Sequence, residues 1–271
     1  MTSRRIAVGD VALALVDEGS GPPVLRLHGF PESSHLWRHQ LPALQSAGLR
    51  VIAPDLRGFG ESDKPPAVED YAIAHSVRDL VGLLDALELE RVHIVGHDWG
   101  AAVAWTFAAL QSDRVDHLVA LSVGHPATRR HISIAQREKS WYMLFFQFVD
   151  VAEELLQRDD WRLFREMFGG AAEVERYIAD LSRPDALTAA LNWYRANVAP
   201  QHELRAEPPL PSVAAPTLGI WSSGDRYLLE DECSHRERTS RARFATNASK
   251  VPAIGCSLTH PSDSTRCWSS S

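Results

Sequence analysis

The order of apolar runs predicts an α/β protein, with a mostly parallel sheet flanked by helices and interrupted once by a helical insert. Three observations carry this. From residue 23 to 126, strand-like apolar runs alternate with amphipathic helical stretches. That rhythm requires βαβ crossovers and a sheet covered on both faces. Between 127 and 207 the rhythm stops, and helical, aromatic-rich segments follow one another. It resumes at 217–221, beyond the proline-rich return Pro208-Pro209-Leu210-Pro211. The predicted division is a core of residues 1–126 and 208–231, a lid of 127–207, and an irregular tail of 232–271.

Taken in order, residues 5–16 alternate around Gly9-Asp10 and predict a hairpin of edge strands. Residues 23–27 read as a third strand that runs into His28-Gly29-Phe30-Pro31-Glu32. Residues 34–47 carry helical spacing through Leu36, Trp37, Leu41 and Leu44, and end at Gly48. A short strand at 50–53 leads into the glycine-punctuated loop 54–62. Residues 71–89 form a long amphipathic helix with apolar Val77, Leu80, Val81, Leu84 and Leu87. Buried strands are predicted at 92–95 and 117–123, separated by an alanine-rich helix at 101–110. In the lid, helical segments are expected at 140–148, 161–168 and 186–197.

Composition narrows the function. The chain has 271 residues, 45% of them hydrophobic, enough for one large core with an inserted smaller unit. A net charge of −7 with no basic stripe argues against a nucleic-acid partner. No apolar stretch approaches the roughly 18 residues of a membrane span, and residues 1–10 lack the apolar region of a secretory signal. The three cysteines, an odd number, fit a reducing, cytoplasmic setting better than a disulfide framework. His28, His93, His97, His125 and His131 show no metal-ligand spacing, so neither a metal nor a cofactor is expected.

Gly96-His97-Asp98-Trp99-Gly100 sits where a buried strand meets a helix. A small–x–acid–x–small pattern at that junction describes a nucleophile elbow. The turn is tight, flanking glycines remove the Cβ atoms that would clash, and the central side chain is held out at a helix N-terminus. The competing reading is a surface turn Asp with a capping role. Three motifs then stand in sequence: His-Gly-Phe-Pro after the third strand, Gly-His-Asp-Trp-Gly after the fifth, and Ser223-Gly224-Asp225 ending a strand beyond the helical insert. Over residues 5 to 231 the chain resembles the α/β-hydrolase fold, and within it the epoxide hydrolase and haloalkane dehalogenase branch. An Asp at the elbow in place of Ser excludes the ester-cleaving chemistry common on that fold.

The resemblance implies roles. Tyr142, in Trp141-Tyr142-Met143-Leu144-Phe145-Phe146-Gln147, and Tyr194, in Asn192-Trp193-Tyr194-Arg195, match the lid tyrosines with which epoxide hydrolases hold the epoxide oxygen. Either tyrosine alone also fits an ordinary helix–helix contact. Asp98 would be the nucleophile, and the N–H groups of Phe30 and Trp99 an oxyanion hole. Pro31 is expected in a cis bond, and Asp225 would orient a histidine base. The implied substrates are a small apolar epoxide and water. The alternatives are a haloalkane-type dehalogenase using the same Asp98 ester, and a non-catalytic binding protein on a hydrolase scaffold.

The tail departs from the family, which places its base about thirty residues past the acid, in a Gly-His-Trp-like context after one more strand and before a last helix. From about residue 232 the chain is instead serine-, threonine- and arginine-rich, and it holds all three cysteines, Cys233, Cys256 and Cys267. A slipped reading frame near residue 232 accounts for this. Read across codon junctions, residues 249–255 are compatible with Glu-Gly-Ala-Gly-His-Trp, the histidine codon straddling Ala253 and Ile254. The expectations are that the last strand and helix are missing, that an apolar sheet edge is left open, and that the base is lost. His260 is the only nearby substitute by position.

Overall fold

A computed structural model describes residues 3–126, 132–169, 173–204, 209–230 and 242–247. Eight strands form one sheet: β1 (Ser3–Val8), β2 (Val11–Glu18), β3 (Pro23–Leu27), β4 (Arg50–Pro54), β5 (Val92–His97), β6 (Val115–Leu121), β7 (Thr217–Ser222) and β8 (Ala242–Asn247). Their spatial order is β1-β2-β4-β3-β5-β6-β7-β8. The first two pairings, β1 with β2 and β2 with β4, are antiparallel, and the rest are parallel. The chain steps one way from β3 to β4 and then returns to place β5 on the other side of β3. That reversal opens a crevice at the carboxyl ends of β3 and β5, the place where open α/β sheets bind ligands.

The two faces of the sheet bury different apolar sets. Leu25, Leu27, Ile94 and Leu118 pack against α2 (Ile73–Ala86) and α3 (Trp99–Leu110). Val24, Val51, Val95 and Leu121 pack on the other face with Trp37, Leu41 and Leu44. The stretch 34–47 is not one helix. It is a 3-10 turn, Ser34–His39, followed by α1 (Leu41–Ser46). Pro42 explains the break, because it offers no N–H to a continuing helix and is tolerated only in a first turn. Tyr71 ends a separate 3-10 turn, Val68–Tyr71, and α2 starts at Ile73, whose N–H is capped from the helical insert by Asn197 Oδ1 at 2.9 Å.

The helical insert between β6 and β7 contains α4 (Ile134–Lys139), α5 (Trp141–Phe145), α6 (Val151–Phe168), α7 (Val174–Leu181) and α8 (Ala186–Asn197). The helix expected at 161–168 is the second half of α6. Arg158 to Trp161 leave helical geometry, three of them at positive φ, so α6 is two helices joined at a kink. The tail corrects one expectation. Ala242–Asn247 pairs in parallel with β7 from Thr217↔Ala242 to Ser222↔Asn247, so an eighth strand is present. The expected open edge of β7 is therefore covered: an unpaired strand edge would offer a row of backbone groups, and those select a partner strand by hydrogen bonding with little regard to side-chain sequence. The last helix and His260 lie outside the described residues.

Candidate active site

The elbow forms as its sequence demands. Asp98 sits at φ 51° and ψ −121°, a strained conformation for a residue with a side chain. A Cβ on Gly96 would lie 2.3 Å from the Gly100 carbonyl oxygen, and one on Gly100 would lie 2.2 Å from that of Leu27. Only glycine fits either place. Asp98 is therefore lifted above the sheet edge at the start of α3.

The neighbouring loop meets it because β3 and β5 are hydrogen-bonded neighbours. Gly29 approaches so closely that a Cβ there would fall 2.3 Å from Asp98 Oδ1. The Phe30 N–H donates to the same oxygen at 2.8 Å, and the Trp99 N–H is a second backbone donor to the carboxylate. His28 pins the loop: its Nε2 accepts from the Leu56 N–H at 3.0 Å, and its Nδ1 contacts the Gly29 carbonyl at 2.9 Å. Accepting at Nε2 makes this imidazole neutral, and burial lowers its pKa in the same sense. The Phe30–Pro31 bond is cis, as the sequence suggested.

A cavity of about 70 Å³ lies over Asp98. Its walls bring together Phe30, Asp98, Trp99, Tyr142, Tyr194 and Asp225, residues far apart in the sequence. The two phenol rings stand edge to face with centroids 5.8 Å apart, and Tyr194 packs on Trp99 at 5.1 Å. Tyr194 is fixed by its neighbours in α8. Trp193 donates to the Arg57 carbonyl of the core at 3.0 Å, and Arg195 grips Glu153 through two bonds of 2.8 and 2.9 Å. Burial, with Asp98 beside it, holds the Tyr194 hydroxyl well above its usual pKa, so it stays a proton donor at any working pH.

Burial raises the Asp98 carboxyl pKa, against the lowering influence of His97 and of the Phe30 and Trp99 N–H groups. Asp225 follows β7 as expected. Its Oδ1 accepts from the Tyr227 and Leu228 N–H groups at 2.8 and 2.9 Å. Burial raises its pKa, and those bonds, His97 and Lys139 oppose the rise.

Three ionisable pocket residues escaped the sequence reading. His97 and Glu32 form a buried pair, Nδ1 to Oε2 at 3.0 Å, and both line the cavity. Burial disfavours the imidazolium, but Glu32, aided by Asp98 and Asp225, overrides this and lifts the His97 pKa to about 9. Their adjacency to the two motifs was the available signal, since Glu32 follows His-Gly-Phe-Pro directly and His97 precedes Asp98. Tyr227 stacks edge to face on Tyr142 at 5.2 Å, and its hydroxyl donates to the Met167 carbonyl at 2.7 Å. No motif in the sequence marked it.

Sheet order, strained elbow and helical insert together define a hydrolase-type α/β scaffold with a carboxylate at the elbow. Residues 22–233 match the family described as alpha/beta hydrolase fold. The chain is 35% identical to AB hydrolase superfamily protein YfhM of Bacillus subtilis (strain 168), over 83% of this chain and 82% of that protein. It is also 35% identical to Epoxide hydrolase A of Mycobacterium tuberculosis, over 84% and 83%. Among solved structures, Epoxide Hydrolase A from Mycobacterium thermoresistibile superposes with a TM-score of 0.81 at 31% identity, covering 98% of this chain and 96% of that one. The epoxide hydrolase of Bacillus megaterium, solved in complex with an inhibitor, superposes at 0.86 with 27% identity, covering 98% of both chains.

The chain belongs to the α/β-hydrolase fold family, in its epoxide hydrolase branch. The dehalogenase and binding-protein alternatives gain nothing from these relatives. Among the described residues, no helix is long and apolar enough to cross a membrane.

Proposed function

We propose that the chain opens a small apolar epoxide through an ester on Asp98. One observation carries this reading: a carboxylate on a strained turn and two phenols share the walls of one apolar cavity. An Asp98 oxygen attacks an epoxide carbon, the C–O bond breaks, and the ring oxygen takes a proton from Tyr142 or Tyr194. Water then adds to the ester carbonyl. The Phe30 and Trp99 N–H groups, which hold the resting carboxylate, stabilise the oxyanion that forms. Collapse breaks the ester bond to the substrate oxygen; of the two protons of the water, one goes to the departing alkoxide and the other restores the phenol, so Asp98 returns as a carboxylate and the diol leaves.

The second step needs a base. His97 is the one histidine among the described residues that lines the cavity, and a pKa near 9 keeps it protonated at neutral pH. Asp225 is in place to orient a base, and His260 is the candidate by position. The match to the family stops at residue 233, beside the inferred frame slip. That coincidence supports loss of the family's own histidine, and the nucleotide sequence around codon 232 tests it directly. On this reading the Asp98 ester outlasts its formation.

Intact-mass measurement after exposure to a small aryl epoxide tests both steps. A persistent adduct on Asp98, absent from D98N, is expected. Many turnovers to diol with no adduct would overturn the persistent ester, and their loss in H260A would make His260 the base. If neither adduct nor diol forms, the epoxide-opening reading itself fails.

A further inference from the structure

At the end of β5 and β6 remote from the elbow, two histidines face each other. A register shift between Val92 and His93 leaves Val92 opposite Val115 but sets His93 opposite His117, so that Asp116 is the extra residue of a bulge. The bulge aligns two imidazoles that a regular ladder would hold out of step. Their Nδ1 atoms are 3.2 Å apart and their ring centroids 5.0 Å apart, with the planes at 49°. His117 is exposed and His93 half-buried. The sequence hides this pair, because its members lie 24 positions apart and only the parallel pairing of β5 with β6 joins them.

We propose that His93 and His117 form a chelating site for a divalent first-row transition metal ion. Two imidazole nitrogens bound to one ion at about 2.05 Å lie about 2.9 Å apart at a right angle and about 3.3 Å apart at the tetrahedral angle. The observed 3.2 Å falls within that span. Arg91, two positions before His93, is engaged elsewhere. Arg91 is held by Asp116 Oδ1 at 2.5 Å and by the Asp113 and Val115 carbonyls at 2.6 and 2.7 Å.

On binding, the two Nδ1 lone pairs form bonds to the ion and two of its waters leave. The proton shared across the Nδ1–Nδ1 contact moves to Nε2 of its ring, so no redox partner or added base is required. Among the described residues no group of three or more His, Cys, Asp or Glu surrounds an ion position. The remaining coordination sites therefore stay with water. Imidazole donors favour Cu²⁺ within the divalent series. A bound ion clips β5 to β6 and adds to stability by mass action.

Copper titration of the tag-free full chain tests this, with its three cysteines blocked by alkylation. One tight site is expected, with the EPR signature of two nitrogen ligands and a copper-dependent rise in Tm. H93A and H117A should each weaken that site at least tenfold and abolish the Tm rise. H117N, a near-isosteric change at an exposed position, repeats the test should H93A fold poorly. Less than a tenfold change in all three variants, or a signature with a single nitrogen, overturns the site.

Discussion

The floor and the roof of the pocket are built by different physics. The floor, Asp98 with the Phe30 loop, is placed by backbone. A positive φ, glycine contacts that admit no Cβ and two N–H donors leave the carboxylate one position. The roof, Tyr142 and Tyr194, is placed by packing. Each phenol leans on other rings, Phe146, Trp99 and Tyr227 among them, and α8 is tied to the core and the lid through Trp193 and Arg195. A backbone-built floor fails all at once, whereas a roof of several rings fails by degrees.

The largest expected effect separates the two at once. D98N should remove adduct formation altogether, a drop of at least about 10³-fold in the rate of epoxide consumption, because an amide does not replace the attacking carboxylate. Mass spectrometry under single-turnover conditions checks it, and any residual adduct on the variant would place the nucleophile elsewhere. Y142F and Y194F should each slow adduct formation by about 10²-fold, within the range of a lost proton donor. Neither should abolish it alone, since the partner phenol remains. The double variant should approach D98N. If one single variant already matches the double, the two phenols do not share the load.

G100A tests the floor as structure. A methyl group 2.2 Å from the Leu27 carbonyl oxygen must push the elbow off β3, at a cost of about 1–3 kcal/mol, the usual range for overpacking. Urea unfolding measures it. A variant as stable as the parent would show that the elbow has slack which the glycine contacts deny.

The same contrast explains what was legible in the sequence. The floor was readable because close backbone approach leaves only glycine possible, and that writes Gly96, Gly100 and Gly29 into fixed places. The strands from β1 to β7 were readable from apolar runs. The break at Pro42 and the kink at Arg158–Trp161 were missed, because apolar spacing continues across both while the backbone does not. The strand β8 was missed because the free edge of β7 supplies the order that the tail sequence lacks. Tyr142 and Tyr194 were found only through family-like surroundings. The pairing of Glu32 with His97 was not found, although each adjoins a motif, because nothing local joins residues 65 positions apart, and the ring stack of Tyr227 leaves no pattern at all.

The smallest effect on the reaction itself concerns that pair, which bridges the two halves of the floor. His97 has a folded pKa of about 9 against an unfolded 6.5. Its contribution to stability is therefore fully present below pH 6.5 and is lost as pH rises through 9. E32Q removes the main source of the rise. The His97 titration should then fall by at least about one unit, followed by imidazole NMR, and stability at neutral pH should drop by about 3 kcal/mol, as for a broken buried pair. Asp98 feels the change, because the Glu32 charge is itself one of the influences that raise its carboxyl pKa, while His97 in E32Q still carries its proton in the acid range. The acid limb of the alkylation rate should therefore move to lower pH in E32Q. A lid defect would lower that rate without moving its pH dependence. An unmoved limb, with His97 titrating near 9 in both proteins, would show that burial geometry rather than the Glu32 charge sets the electrostatics of the floor.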